Sequence, residues 1–388
     1  MFYGMLISTI GSSMIWPFLM IYVRQRVNMP LTQAASLMTI NATAGLIAAF
    51  LAGPITDRLG RKWIMVISLA GNGAVYYFMS NADSYLSFAV LMLMSGTFNP
   101  IYRVGADAML ADLIPSEKRA DAYALMRLSN NAGIAIGPMI GGFLSSISYT
   151  ITFFIAGSGM IIYSLLMAFF ARETLPIISI QSERIYKTFT GYIQVFRDSK
   201  FLSFIGAFIL AQMCAVLIWI LMPVYANGIY NVSERQYGFI PATNALMVVF
   251  LQVYVTRITK RYSPLPVMAV GTFFYTLGVG SVALGHSFFG FWISMVIMTI
   301  GELILMPTAS TYTAELAPVA MRGRYMSVAG LSWSAAAGIA PIMGGYLNDN
   351  VSPVATWFGG FVIGIIGILD FLYLSRKENR TQSSRITS

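Results

Sequence analysis

Charged side chains are scarce in this sequence. Only 10% of its 388 residues are Asp, Glu, Lys or Arg, whereas 57% are hydrophobic, and the mean hydropathy is +0.71. A soluble domain carries about 25% charged residues. Lipid is the adequate solvent for so apolar a chain, and in lipid only helices and closed barrels satisfy their own backbone hydrogen bonds. Because no long segment alternates polar and apolar residues, a barrel is excluded and an all-α membrane protein is predicted.

Cysteine and the usual catalytic patterns are also nearly absent. Cys214 is the single cysteine, so no disulfide forms within the chain. The sequence contains no nucleophile–base set and no metal-ligand cluster. The glycine spacing of 137–142 has no strand before it, so it is not a dinucleotide-binding fingerprint. We therefore expect no enzymatic activity, no metal and no cofactor.

Twelve apolar segments are each long enough to cross a bilayer, which takes about 20 helical residues. The predicted spans are 2–23, 33–56, 63–80, 85–113, 120–145, 148–171, 201–226, 236–256, 265–285, 288–314, 324–346 and 354–375.

The net charge of +9 is distributed in a way that argues against nucleic acid as a partner. With the amino terminus inside, 19 of the 24 Lys and Arg residues fall on the cytoplasmic side, and Arg24, Arg26 and Arg235 fall outside. This is the positive-inside pattern. It predicts a multi-pass protein of the plasma (bacterial inner) membrane with both termini in the cytoplasm.

The two halves of the chain repeat each other at a constant offset of 203 residues. Two six-helix halves related by an axis along the membrane normal are one known transporter plan, with a site at mid-bilayer. The predicted domains are a first half at 1–172, a linker with an interfacial helix at 173–200, a second half at 201–375 and a basic cytoplasmic tail at 376–388. The repeated elements are Ala111–Pro115 with Ala314–Pro318, Arg119 with Arg322, Gly137–Pro138 with Ala340–Pro341, and Gly141–Gly142 with Gly344–Gly345.

A charged, glycine-containing segment, Gly53–Lys62, separates the second and third spans. It resembles the G-x-[LI]-x-D-R-x-G-R-K signature of the major facilitator superfamily, at the matching place. The resemblance implies the twelve-span major facilitator fold, with two pseudo-symmetric halves and transport by alternating access.

The same segment predicts a conformational switch. Gly53 and Gly60 are expected to permit close approach and a tight turn. Asp57 is expected at the amino-terminal end of a helix from the other half, and Arg61 or Arg58 is expected to hold Asp112. Glu315 takes the place of Asp112 in the second copy, where the glycines and the aspartate of the loop are missing.

The fifth span contains Gly133-Ile134-Ala135-Ile136-Gly137-Pro138-Met139-Ile140-Gly141-Gly142. This segment resembles the G-x-x-x-G-P-x-x-G-G antiporter motif of drug:proton exchangers. A second interpretation is structural, since small residues at this spacing let helices pack closely.

Charges within spans are costly and are functional candidates by default. Arg103 and Asp107 lie four residues apart in span four, and Arg127 lies in span five. Asp107 pairs either with Arg103 or with Arg127, and the sequence does not choose between them. Drug antiporters often carry an arginine in span four that is tied to proton coupling, so the resemblance implies this role for Arg103.

Glu302 in span ten has no basic residue within one helical turn. A carboxylate in that setting either finds a partner across the cavity or holds a proton. The sequence G-E-x-x-x-x-P is similar to a span-ten motif of some multidrug:proton antiporters and also of proton-coupled peptide transporters. The peptide transporters carry an E-x-x-E-R motif in span one, which this chain lacks.

Polar and aromatic residues near mid-span are candidates for the substrate cavity. Aromatic faces attract organic cations, and methionine surfaces adapt to varied apolar ligands. The candidates are Tyr102, Asn131, Gln212, Trp219, Asn244 and Trp333.

These features predict proton-coupled efflux of lipophilic or cationic small molecules, powered by the proton gradient. The alternatives are a carrier for one metabolite, sugar or lipid precursor, and a non-transporting membrane sensor. The expected partners are membrane lipids, protons and a small-molecule substrate, with no nucleic acid and with the protein as a monomer.

Overall fold

The computed structural model describes residues 2–115, 118–175, 194–318 and 321–386. These residues form helices and connecting turns, with no strand among them. The helices are α1 (Phe2–Ile15), α2 (Leu19–Val27), α3 (Leu31–Leu59), α4 (Arg61–Met79), α5 (Tyr85–Leu113), α6 (Arg119–Ser145), α7 (Tyr149–Phe170), α8 (Ser199–Tyr230), α9 (Glu234–Tyr237), α10 (Phe239–Thr259), α11 (Pro264–Ser281), α12 (Phe288–Leu316), α13 (Arg322–Asn350) and α14 (Ala355–Ile386).

Eight of the helical segments are long and apolar enough to cross a membrane, or nine if the bent pair α1 and α2 is one span. Three further helices, α4, α5 and α6, have 19, 29 and 27 residues and are less apolar. Together these segments account for the twelve predicted spans within the described residues. Two of the three less apolar helices carry the charges predicted within the membrane, Arg103, Asp107 and Arg127. The all-α fold with twelve membrane helices is therefore confirmed.

Helix boundaries repeat at the offset that the sequence shows. Helix α5 covers Tyr85–Leu113 and α12 covers Phe288–Leu316, so both ends are displaced by 203 residues. The first residues of α4 and α11 (Arg61, Pro264) differ by the same amount. The duplication thus extends from residue identities to the lengths of the helices and the positions of the breaks.

The chain forms two compact units. The first comprises Met1–Ser182 with Pro223–Ala245, and the second comprises Glu183–Met222 with Leu246–Ser388. In the first unit α3 packs on α5, α1 on α6, and α4 on α7; in the second, α11 packs on both α12 and α14. The segment 223–245, which is part of the predicted second half, therefore groups with the first unit. The predicted domain boundaries themselves stay a prediction.

Several predicted boundaries differ from the structure for identifiable reasons. The first span is broken between Ile15 and Leu19 and bends by 43°, at Pro17, which has no N–H for the helix. The predicted basic tail, 376–388, overlaps the end of α14, which continues from its span to Ile386. The interfacial helix predicted in the linker lies almost wholly outside the described residues.

Candidate functional site

The signature segment is helical apart from one residue, which corrects the expectation of a charged turn. Helix α3 continues through Gly53 and Asp57 to Leu59, and α4 begins at Arg61. Gly60 alone breaks the chain, with φ of +90°, a conformation that glycine adopts without strain. A Cβ at Gly53 would have no atom within 4 Å. The expected close approach is therefore seen at Gly60 and not at Gly53.

Arg61 is the centre of an ion-pair network. Its guanidinium contacts Asp57 at 3.2 Å and donates from Nε to Asp112 Oδ2 at 3.1 Å. The Arg61 side chain is only 12% exposed, whereas that of Asp57 is 69% exposed. The expected contact with Asp112 is thus present and is made by Arg61. It joins the break between α3 and α4 to the last turn of α5.

Glu173, just after α7, is a member of this network that the sequence reasoning missed. Its Oε1 accepts from the backbone N–H of Arg61 at 2.9 Å, and its Oε2 accepts from that of Lys62 at 3.1 Å. The neighbouring Thr174 donates from Oγ1 to Asp112 Oδ2 at 3.0 Å. Because Gly60 has no side chain to cap α4, the carboxylate of Glu173 takes that role from 112 residues away.

Electrostatics at Glu173 follow from these bonds. Burial alone raises the pKa of its carboxyl, but backbone N–H groups of Leu175, Arg61, Thr174 and Lys62 outweigh burial and hold the pKa below its ordinary value. Donors at a helix amino terminus favour a negative charge. One feature of the sequence pointed to this partner. Glu173 is an acidic residue directly after an apolar span, and Arg172 is its only basic neighbour in the sequence.

Gly133, Gly137 and Gly141 of the antiporter-like motif pack on α1. A Cβ at Gly133 would lie 2.7 Å from Thr9 Cβ, and one at Gly137 would lie 2.9 Å from Ile10 O. A Cβ at Gly141 would overlap the backbone of Met14. The spacing therefore serves close helix packing, as the structural interpretation predicted, and this packing is compatible with either meaning of the motif.

The other end of the motif contacts residues 223–245. A Cβ at Gly142 would overlap Glu234 O, and one at Gly238 would overlap Pro138 O. Tyr149 Oη donates to Glu234 Oε1 at 3.0 Å, and the rings of Phe18 and Tyr237 meet edge to face at 6.4 Å. We refer to these contacts between residues 138–149 and residues 234–238, together with the Phe18–Tyr237 contact, as the clasp.

Asp107 interacts electrostatically with Arg103 of the same helix, and its pairing with Arg103 or with Arg127 stays a prediction. Neither Arg103 nor Arg127 lies within 4.0 Å of a carboxylate oxygen in the part of the chain that the structure describes. Side chains of all three residues are exposed rather than packed in the core. Tyr123 Oη donates to the backbone O of Asp107 at 3.2 Å. The contact from α6 thus uses the backbone of Asp107 and not its carboxylate.

Glu302 lies half-buried in α12, on a segment held by neighbouring helices. Gly301 before it packs on α11, since a Cβ there would lie 2.6 Å from Gly271 O. Tyr275 of α11 interacts electrostatically with Glu302. One turn later, Met306 Sδ accepts from Gln212 Nε2 of α8 at 3.5 Å.

The internal repeat shows what Glu302 replaces. In the first unit Asn72 Nδ2 donates to Asn99 Oδ1 at 2.9 Å. The residues 203 positions later are Tyr275 and Glu302, which interact in the second unit. A neutral amide pair in one half thus corresponds to a titratable pair in the other.

The predicted cavity residues differ in burial. Gln212 and Asn244 are buried, at 2% and 4% exposure, whereas Trp333 is 41% exposed. Gln212 Oε1 has no hydrogen-bond partner among the described residues. Tyr102, Asn131 and Trp219 are half-buried.

The remaining switch candidates, Arg58 and Glu315, lie outside the ion-pair network of Arg61. Arg58 and Glu315 are exposed, and neither forms an ion pair with another described residue. No group of three His, Cys, Asp or Glu suitable for a metal ion occurs in the described part of the chain.

Comparison with known proteins identifies the family. The family model described as Major Facilitator Superfamily matches residues 1–233 and 209–387. The chain is 26% identical to a Na(+), Li(+), K(+)/H(+) antiporter of Planococcus maritimus, over 93% of this chain and 91% of the relative. It is 24% identical to the multidrug resistance protein MdtH of Escherichia coli O1:K1 / APEC, over 86% and 82% of the two chains.

A solved structure of the peptide transporter POT in complex with sulfate has the same fold. It superposes with a TM-score of 0.81 at 15% identity, over 98% of this chain and 93% of that chain. At this identity the likeness establishes the fold and not the substrate. The chain is a multi-pass membrane transporter, not an enzyme, and belongs to the Major Facilitator Superfamily.

Proposed function

We propose that this transporter is a proton-coupled antiporter that exports lipophilic or cationic small molecules by alternating access. The observation that carries the proposal is Glu302, a half-buried carboxylate on an apolar helix beside Tyr275. Carboxylates within membrane spans are costly and mark proton or substrate pathways. Its counterpart in the first half is the neutral Asn99, so the two halves differ at this position in their capacity to bind a proton.

Asp107 is the second carboxylate of the proposed cycle. Its side chain is exposed, which leaves it accessible to a proton or a cationic substrate, and Arg103 of the same helix interacts with it electrostatically. In the proposed cycle a proton from outside neutralises Glu302 or Asp107, the substrate leaves, and the carrier changes conformation. Arg103 supplies positive charge on α5, the helix of Asp107, and Arg127 supplies it on the next helix, α6.

The ion-pair network at Arg61 is the proposed conformational switch. It ties α3, α4, α5 and the residues after α7 to one guanidinium and one capping carboxylate. We place this end of the bundle in the cytoplasm, with both chain termini, because the basic residues cluster there. The proposal further takes the membrane to be a bacterial plasma membrane and the protein to be a monomer. The proton gradient supplies the energy, and no cofactor is required.

The relatives suggest a second candidate, exchange of alkali cations for protons. One relative is named a Na(+), Li(+), K(+)/H(+) antiporter, and another is named a multidrug resistance protein. Sites for hard cations are built from several oxygen ligands. The described residues bring no three acidic side chains together, which favours organic substrates.

Uptake into inside-out vesicles with an acid interior tests the proposal. We expect a lipophilic fluorescent cation to accumulate with the wild-type protein and to leave when a protonophore dissipates the gradient. Na⁺ and K⁺, added in parallel to vesicles with a pH-sensitive dye, test the second candidate. Gradient-independent uptake, or no uptake across a panel of dyes, would refute proton-coupled drug export and direct the search to specific metabolites, sugars and lipid precursors.

A further inference from the structure

Helix α12 contains a missing hydrogen bond close to Glu302. Pro307 lies inside this helix and has no N–H, so the carbonyl of Leu303, four residues before it, loses its helical donor. Leu303 is only 1% exposed, so solvent does not replace that donor. A buried carbonyl of this kind needs another partner.

Gln252 of α10 supplies the replacement. Its Nε2 donates to Leu303 O at 3.0 Å, and the same amide donates to Thr256 Oγ1 at 3.0 Å. A glutamine amide has two N–H donors, so both are used. The bond crosses from one helix to another and completes the backbone hydrogen bonding of the segment between Glu302 and Pro307.

We propose that Gln252 is a positioning residue for Glu302. By donating to Leu303 O it stands in for the N–H that Pro307 lacks, and it holds the segment 302–307 in the geometry in which Glu302 takes up and releases its proton. Helix α10 is shared between the two compact units, which divide it after Ala245. The inference deepens the proposed function, since it assumes that Glu302 binds the coupled proton.

Two other contacts near Glu302 do not replace a helical hydrogen bond. Tyr275 from α11 interacts electrostatically with both Glu302 and Cys214 of α8. Gln212 reaches only the Met306 thioether. Among these contacts the bond from Gln252 is the one that replaces a helical hydrogen bond.

A double-mutant cycle tests the proposal. Gln252→Leu removes the donor, and Pro307→Ala restores the backbone N–H that would make the donor unnecessary. The readout is infrared titration of the Glu302 carboxyl band in the purified full-length protein, assigned by its loss in Glu302→Gln. We expect Gln252→Leu to move the titration midpoint by about one pH unit, a tenfold change in proton affinity. The same substitution in the Pro307→Ala background should leave the midpoint unchanged.

Thr256→Val is the matched control, because it removes the other acceptor of the Gln252 amide and keeps the bond to Leu303. Its midpoint should equal that of the wild type. An equal shift by Gln252→Leu with and without Pro307→Ala would overturn the proposal, and so would a shift in Thr256→Val alone. If Gln252→Leu does not fold, the comparison of Gln252→Asn in the two proline backgrounds gives the same test.

The titration needs no substrate, so it is independent of the vesicle assay for efflux. A protein that titrates as expected but moves no dye would refute drug export and support the positioning role. A protein that pumps dyes but titrates identically in Gln252→Leu would refute the positioning role and support drug export.

Discussion

Replacement of Glu173 by Gln removes the negative charge that caps α4. One amide oxygen still accepts, but the amide nitrogen cannot accept from Lys62, which donates at 3.1 Å in the wild type. An N-cap acceptor is worth about 1 kcal/mol, and a negative charge at a helix amino terminus adds roughly 0.3–1 kcal/mol. The two contributions sum to roughly 1.3–2 kcal/mol. Because Glu173 is exposed and solvent screens its charge, we expect a loss below that range, about 1 kcal/mol at pH 7.

The pH dependence of this loss follows from the lowered pKa of Glu173. A carboxyl whose pKa is lower in the folded state contributes stability above its ordinary value, here 4.5, and loses it as pH falls through the lower folded value. The wild type should therefore melt at a higher temperature than Glu173→Gln between pH 5 and pH 7, by about the same margin throughout. The margin should shrink below a pH of about 4.5.

Thermal melting of the purified protein in detergent over that pH range measures the margin. Asp83→Asn is the control, because Asp83 is an exposed carboxylate that forms no ion pair with the other described residues. A difference between Glu173→Gln and wild type that is the same at pH 4 as at pH 7 would refute the capping role, and so would the absence of any difference at pH 7.

Three further substitutions test the network and the clasp. Asp112→Asn removes the negative partner of Arg61 and should lower stability by about 1 kcal/mol, measured by thermal melting. Gly142→Ala places a Cβ against Glu234 O, so hydrogen exchange at the clasp should become faster. Tyr149→Phe removes the donor to Glu234 and should speed the same exchange by a factor of about 10, which corresponds to one neutral-to-charged hydrogen bond of about 1.5 kcal/mol.

Controls separate these effects from general damage. Gly206→Ala is suited to the clasp experiments, since a Cβ there would meet no atom within 4 Å. Unchanged exchange in both Gly142→Ala and Tyr149→Phe would show that the clasp contacts contribute nothing to local stability. A normal melting temperature for Asp112→Asn would show that Arg61 gains no stability from its second carboxylate.

Much of the fold was predictable because apolar run length determines where a membrane helix begins and ends. The predicted fourth span, 85–113, coincides with α5, and its repeat predicts α12 to within two residues. Prolines and single glycines explain the helix boundaries that the sequence did not predict. Pro17 breaks a span that was predicted to be continuous. The helices on both sides of Gly60 include charged residues that hydropathy assigns to a turn.

Candidate site residues were predictable where the residue type alone is energetically costly inside a membrane span. Arg103, Asp107 and Glu302 stand out because charge is rare within spans. Glu173 and Gln252 were missed because their roles depend on partners far along the chain, at Arg61 and Leu303. No local sequence pattern reveals that a glutamine donates a hydrogen bond to a backbone carbonyl of another helix. An internal proline does predict that the carbonyl four residues before it needs a donor from elsewhere.

Proton release on substrate binding tests the central claim most directly. Purified protein in weakly buffered detergent solution at a pH near 7 receives a lipophilic cation, and a pH indicator reports the protons set free. If Glu302 exchanges a proton for substrate, the wild type should release protons on binding, and Glu302→Gln should bind the cation without releasing them. Equal proton release by the two proteins would contradict the assignment of Glu302 as the coupling carboxylate. Binding by the wild type with no release would contradict antiport itself.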